Sequence, residues 1–224
     1  RQFPFYLPII NNTRSINFTQ PVTFFIGENG AGKSTILEAI AHNIGLVAEG
    51  GSKNISFTTT ASTASVLGDC MKLSWSYKPH DAYFFRAESF FNVANYLDTI
   101  ADGSKSYGNK SLHHQSHGES FFSFFSNRLG SNGIYILDEP EAALSPERQL
   151  ALLRIIHELS KNNTAQFIIA THSPILLAYP DATIYSCDGG QLQEMRYADT
   201  PHYQITKQFL DSPSLYLKHL FSDE

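Results

Sequence analysis

Nine consecutive residues, Gly27, Glu28, Asn29, Gly30, Ala31, Gly32, Lys33, Ser34 and Thr35, constrain this chain more than any other feature of it. They match the pattern G-x-x-x-x-G-K-S/T and follow a β-rich apolar run from Pro21 to Ile26, in which Val22, Phe24 and Phe25 stand. After them Ile36, Leu37, Ile40 and Ile44 recur at helical spacing until Gly45. The order expected is therefore buried strand, glycine-rich turn, helix. Glycines let backbone N–H groups curl around a polyphosphate, and the helix N-terminus adds a favourable field. Lys33 brings a mobile point charge, and the Ser34 hydroxyl is suited to ligate Mg²⁺. A bound nucleoside triphosphate is the expectation. GTP stays open beside ATP, although no Asn-Lys-x-Asp-like segment that reads guanine follows.

The chain has 224 residues, 42% hydrophobic and 17% charged, which suits one folded domain over 1–224 and rules out collagen-like or largely disordered structure. Its net charge is −5, and the 16 basic residues are scattered singly, so a nucleic-acid partner stays open but has no electrostatic footprint to support it. Cys70 and Cys187 lie far apart without a CxxC spacing, which fits a reducing compartment and predicts two small buried hydrophobes. The Phe-rich stretches Phe84–Phe85, Phe90–Phe91 and Phe121–Phe125 are broken by Arg, Ser and Asn, well short of the roughly 18 apolar residues a membrane helix needs. A cytoplasmic location is inferred. The first residue is Arg1 rather than Met and no leader pattern is seen, so part of the natural start is expected to be missing.

Further strands are expected at Met71–Trp75, Ala82–Arg86, Ile134–Leu137 and Phe167–Ala170, and a late hairpin at Thr183–Cys187 and Gln191–Met195 around Asp188, Gly189 and Gly190. Phe90–Ile100 reads as helical, Ala101–Lys110 as a polar loop, and Ser120–Leu129 as a short helix with Phe121, Phe124, Phe125 and Leu129 on one face. Ser145, Pro146 and Glu147 supply an N-cap hydroxyl, a first-turn proline and an acid suited to the helix dipole, opening a helix to about Lys161. A helical tail carries Pro201 and Pro213. Alternating strands and helices predict an α/β fold with a mostly parallel central sheet covered on both faces.

Asp138 and Glu139 end the apolar strand Ile134–Leu137 and are followed by Pro140. Phosphoryl transfer needs charge neutralisation and an oriented nucleophile more than covalent chemistry, so Asp138 is suited to hold Mg²⁺ and Glu139 to polarise an attacking water. Thr171, His172 and Ser173 follow another apolar strand, whose end would face the same sheet edge as the glycine loop; His172 then has reason to meet a γ-phosphate.

Gly27–Thr35, Ser116-His117-Gly118-Glu119, Asp138-Glu139-Pro140 and His172, in this order, resemble the ATP-binding cassette (ABC) class of P-loop ATPases. Ser116 to Glu119 is similar to that class's signature, with Gln115 in place of Leu and His117 in place of the first Gly. The resemblance implies Mg²⁺-dependent ATP hydrolysis in a head-to-tail homodimer with two ATP molecules sandwiched between the Walker A loop of one chain and the signature of the other. It implies that Glu139 is the catalytic base and His172 the γ-phosphate sensor, and that a reduced helical subdomain is inserted at about 88–130. Glu139 to Pro146, Phe85 to Asn92 and Thr171 to Leu176 look closer to small soluble predicted ATPases and SMC- or RecF-like proteins than to transporter subunits.

The class normally places a Gln between loop and signature, yet there is none from Ile36 to His114; Glu88 and Asn92 are the candidate substitutes, Glu88 also as a metal contact. That absence and Ser145, where transporter subunits carry Asp, disfavour a transporter energy subunit. An ATPase switch or motor on an unidentified protein partner is the leading expectation, with a nucleotide-gated interaction module in defence, repair or toxin control as a third. His113, His114 and His117 lack the Cys or carboxylate companions of a zinc site. Phe3, Phe5 and Tyr6 are read as burying a core edge, with stacking on adenine the less common alternative.

Overall fold

The computed structural model describes residues 3–48, 50–52, 65–89, 125–161 and 165–222. In chain order the elements are α1 (Pro8–Asn12), β1 (Val22–Ile26), α2 (Lys33–Ile44), β2 (Gly51–Ser52), α3 (Ser65–Cys70), β3 (Asp81–Arg86) and β4 (Gly133–Asp138). They continue with α4 (Pro146–Ser160), β5 (Gln166–Ala170), α5 (Pro174–Leu177), β6 (Thr183–Ser186), β7 (Gln193–Met195), α6 (Pro201–Asp211) and α7 (Pro213–Phe221).

The seven strands form one sheet in the order β2-β3-β4-β5-β1-β6-β7. The five inner strands run parallel, and the two edge strands pair antiparallel with β3 and β6. Every residue of β1 and β4 is buried, as a parallel sheet covered on both faces requires. Side chains of a strand alternate between faces, and the two cores divide accordingly. Phe24, Phe85, Leu137, Phe167 and Ile169 pack with Leu152 and Ile156 of α4 on one side. Phe25, Phe84, Ile136 and Ile168 pack with Ile36, Leu37 and Ile40 of α2 on the other.

Helix ends follow their sequence signals. Gly45 closes α2 in the left-handed region at φ 89°, its N–H donating to the carbonyls of Ala41 and His42. Ser145 caps α4, its Oγ accepting from Arg148 N at 3.4 Å, and Pro201 and Pro213 open α6 and α7.

Three expectations are corrected. Met71–Trp75 is not a strand: its residues are irregular and half-buried or exposed. The free edge of β3 is taken instead by the two residues of β2, which leaves Met71 and Leu73 no ladder to join. Cys70 is exposed, whereas Cys187 is buried as expected. Phe3 and Tyr6 do not bury a core edge; they are exposed and meet each other edge-on at 5.9 Å, while Ile9 of α1 fills the core nearby. Neither α1 nor α3 was anticipated.

Residues 125–128 are helical, and Phe125 packs on Phe85 with ring centroids 4.8 Å apart. Phe90–Ile100, Ala101–Lys110, Phe121 and Phe124, and most of the subdomain expected at about 88–130, lie outside the described residues. No helix among the described residues is long and apolar enough to cross a membrane.

Candidate functional site

The strand order decides what meets at the carboxyl edge of the sheet. Because β5 lies between β1 and β4, the glycine loop after β1, the Asp138–Glu139 pair after β4 and Thr171–His172 after β5 become neighbours. Residues more than a hundred positions apart in sequence thus share one crevice, the place where open α/β sheets bind ligands.

The glycine loop is shaped by steric necessity at two positions. Gly27 has φ 141°, and a Cβ there would stand 2.9 Å from Asp188 Oδ1; Gly32 has φ 99°, with Ile9 Cγ2 2.7 Å from where its Cβ would be. Asp188, in the turn after β6, accepts from Glu28 N at 2.9 Å and so braces the loop from the side. Lys33 is buried, and its Nζ donates to the carbonyls of Gly27 at 2.6 Å and Glu28 at 3.1 Å. The ammonium therefore folds back over the loop that its own helix begins. Asn29, Gly30, Ala31 and Thr35 complete the turn and the first turn of α2.

Ser34 Oγ donates to Asp138 Oδ1 at 3.2 Å, joining the loop to the end of β4. Burial pushes the Asp138 carboxyl up to about 6, against the pull of the Arg86 guanidinium and the Ser34 hydroxyl. A hydroxyl and a buried carboxylate are hard oxygen donors, and such a short set suits an ion like Mg²⁺ that keeps most of its waters. No cluster of three or more His, Cys, Asp or Glu able to hold a metal occurs among the described residues.

Glu139 adopts φ 51°, ψ 52°, a left-handed conformation uncommon outside glycine, held by its N–H donating to Ala170 O at 3.0 Å. That turn directs its carboxylate to His172, with Oε1 3.6 Å from Nε2. His172 N donates to Glu141 Oε1 at 2.7 Å. Ser173 then caps α5, its Oγ accepting from Ile175 N and Leu176 N and donating to Gln149 Oε1 at 2.5 Å.

A family model described as an AAA domain matches residues 2–126, more than half of the chain. The chain belongs to this AAA domain family. A second model, described as an AAA ATPase domain, matches residues 112–177, over the acidic pair and His172. No curated protein matches it. Solved structures that resemble it include cbiO1 from Clostridium perfringens, part of the ABC transporter complex cbiONQ, at 20% identity over 92% of this chain and 89% of that one, TM-score 0.48. The SMC head domain from Thermotoga maritima is 16% identical over 81% and 92%, TM-score 0.44. A nucleotide-free ATP-binding cassette from an ABC transporter is 19% identical over 90% of both chains, TM-score 0.47.

The AAA domain agrees with the P-loop ATPase recognised in the motifs, and it carries site residues the sequence reading missed. Arg86, at the end of β3, donates from Nη1 to Glu38 Oε1 at 2.6 Å and brings Nε within 3.7 Å of Asp138 Oδ2. Its strand-end position and the neighbouring Glu88 were the available signals. Glu88 is itself largely exposed, its Oε2 3.5 Å from Arg86 Nη2. Glu141 is half-buried, and desolvation of its carboxyl raises its pKa. His202 of α6 reaches in from the tail, and nothing in the sequence marks it. Ser116, His117, Gly118 and Glu119, together with Asn92, His113 and His114, lie outside the described residues of the AAA domain.

Proposed function

We propose that this AAA domain is a cytoplasmic Mg²⁺-dependent ATPase that closes as a head-to-tail homodimer around two ATP molecules and acts as a switch or motor on a protein partner. The observation supporting it is the meeting of Lys33, Ser34, Asp138, Glu139 and His172 at one sheet edge. In this reading Gly27–Thr35 wraps the phosphates with backbone N–H groups, and Lys33 exchanges its two carbonyl partners for phosphate oxygens. Ser34 and Asp138 would hold Mg²⁺, which when bound supplies charge neutralisation on the β and γ oxygens.

Glu139 accepts a proton as water attacks the γ-phosphorus; the bond to the β–γ bridging oxygen breaks, and ADP leaves with its electron pair. His172 steadies the γ-phosphate, and the Ser116–Glu119 segment of the second chain completes the site with its N–H groups. The experiment is a pair of variants. Glu139→Gln is expected to lower kcat by at least about 100-fold while retaining ATP and accumulating as a dimer, and Lys33→Ala to weaken ATP binding itself. Full turnover in the first, or unchanged ATP affinity in the second, removes these roles. A pull-down with the Glu139→Gln protein in ATP then identifies the partner.

A further inference from the structure

His202 sits in the first turn of α6, 30 residues beyond His172 in sequence, yet its Nε2 lies 3.2 Å from His172 Nδ1. We propose that His202 is a positioning residue for His172: it donates from Nε2 to Nδ1 and so holds the His172 ring as the Nε2–H tautomer, facing the Glu139 carboxylate. The proposal rests on the reading of His172 as a group that meets the γ-phosphate.

Two neutral arrangements satisfy a 3.2 Å contact between ring nitrogens, and the surroundings separate them. If His172 Nδ1 were the donor, its Nε2 would present a lone pair to Glu139 Oε1 at 3.6 Å, and to any phosphate oxygen entering the crevice. Both are acceptors, so both oppose that tautomer. With the proton of the shared contact on His202 Nε2, His172 carries its own on Nε2 and offers a donor to either anion. Burial, and then the nearby His172 and Lys33, lower the His202 pKa, while Asp188 and Glu28 pull weakly the other way. Its place at a helix N-terminus also disfavours a charged ring. Neutral His202 is the form the relay needs.

The contact is built rather than incidental. Thr200 is fully buried, caps α6 by accepting from Tyr203 N at 3.3 Å, and donates from Oγ1 to Tyr197 O at 2.8 Å. Tyr197 in turn donates from its hydroxyl to Pro174 O at 2.9 Å, two residues past His172. The start of α6 is thus fastened to the corner that carries His172. Glu141 fixes the main chain of His172, and His202 fixes its ring.

The test uses the whole chain. In nitrogen-resolved imidazole NMR at neutral pH, with rings assigned by loss in His172→Gln and His202→Gln, neutral His172 is expected as Nε2–H in the wild type and as a mixture of tautomers in His202→Phe. An Nδ1–H wild-type ring, or an unchanged tautomer in His202→Phe, overturns the proposal whether or not ATP is hydrolysed. In turnover, His202→Phe is expected to lower kcat about ten-fold with KM for ATP little changed, the scale at which outer partners of oriented histidines act. His202→Gln, which keeps a donor of similar reach, should restore most of it. Equal losses in both variants would mean that His202 only fastens the tail. A wild-type chain that does not hydrolyse ATP would sink the ATPase reading instead, leaving the tautomer measurement to decide this one.

Discussion

Strands β3 and β4 begin and end beside an aspartate–arginine pair, and the two pairs are built to opposite ends. Where the strands begin, Arg128 grips Asp81 with two nitrogens, at 2.6 and 2.9 Å, and Tyr135 adds its hydroxyl at 3.2 Å. The Arg128 bonds hold the Asp81 carboxyl below its ordinary range. Where the strands end, Arg86 makes its short bond to Glu38 and only approaches Asp138, whose carboxyl burial pushes up to about 6. Among the described residues, Arg86 Nε, His172 Nε2 and His202 Nδ1 are buried at this second edge without a hydrogen-bond partner. Buried polar groups are rarely left so. One edge closes on itself and contributes stability; the other leaves polar atoms buried without a partner, at a cost to the fold.

The sharpest way to break this comparison is to remove the cation at the open edge. Arg86→Met takes the guanidinium away from Glu38 and from the buried carboxyl of Asp138, and should cost about 3–5 kcal/mol in urea unfolding. A loss below about 1 kcal/mol would mean that water already screens this edge, and the contrast with Asp81 would fall. A smaller effect is expected at the closed edge from Tyr135→Phe. The Tyr135 hydroxyl accepts from Gly130 N at 2.8 Å and contacts Gly130 O at 2.9 Å besides Asp81, so its loss should cost about 1–2 kcal/mol by the same measurement. An unchanged midpoint would show that this network is ornamental.

The two edges also differ in how far the sequence disclosed them. Lys33, Ser34, Asp138, Glu139 and His172 were legible because each stands at a fixed offset from an apolar strand, and a strand end tells where its next residues point. The sheet itself was legible for the same reason: β1, β4 and β5 are runs of apolar residues too continuous to face water. Arg86 was visible only as a strand end, since its worth depends on Glu38 lying one helical turn beyond Ser34, a contact across elements. Glu141 and His202 were invisible, because a half-buried carboxylate and a first-turn histidine look like solvated residues until the fold brings both to His172. Met71–Trp75 misled for the converse reason. Its alternation has the period of a strand, but period does not reveal whether a sheet edge is free to receive it.

The finest test of the comparison is the pH dependence of the closed edge. Asp81 has a folded pKa below its ordinary 3.8, so its carboxylate contributes stability above that value, and the contribution is lost as pH falls through 3.8 and then through the folded pKa. The Asp81 side chain is 37% exposed, so solvent screens the pair and the contribution is held to under about 1 kcal/mol. Wild type should therefore exceed Asp81→Asn by a small, constant margin between pH 5 and pH 7, as ordinary carboxylate pKa values of about 4 require, and the margin should vanish in more acid solution. High salt should shrink it at neutral pH as well, because a partly exposed pair is open to counter-ions. A margin that grew as the solution was acidified would reverse the sign of the Asp81–Arg128 interaction, and with it the claim that this end of the sheet is the one built to hold.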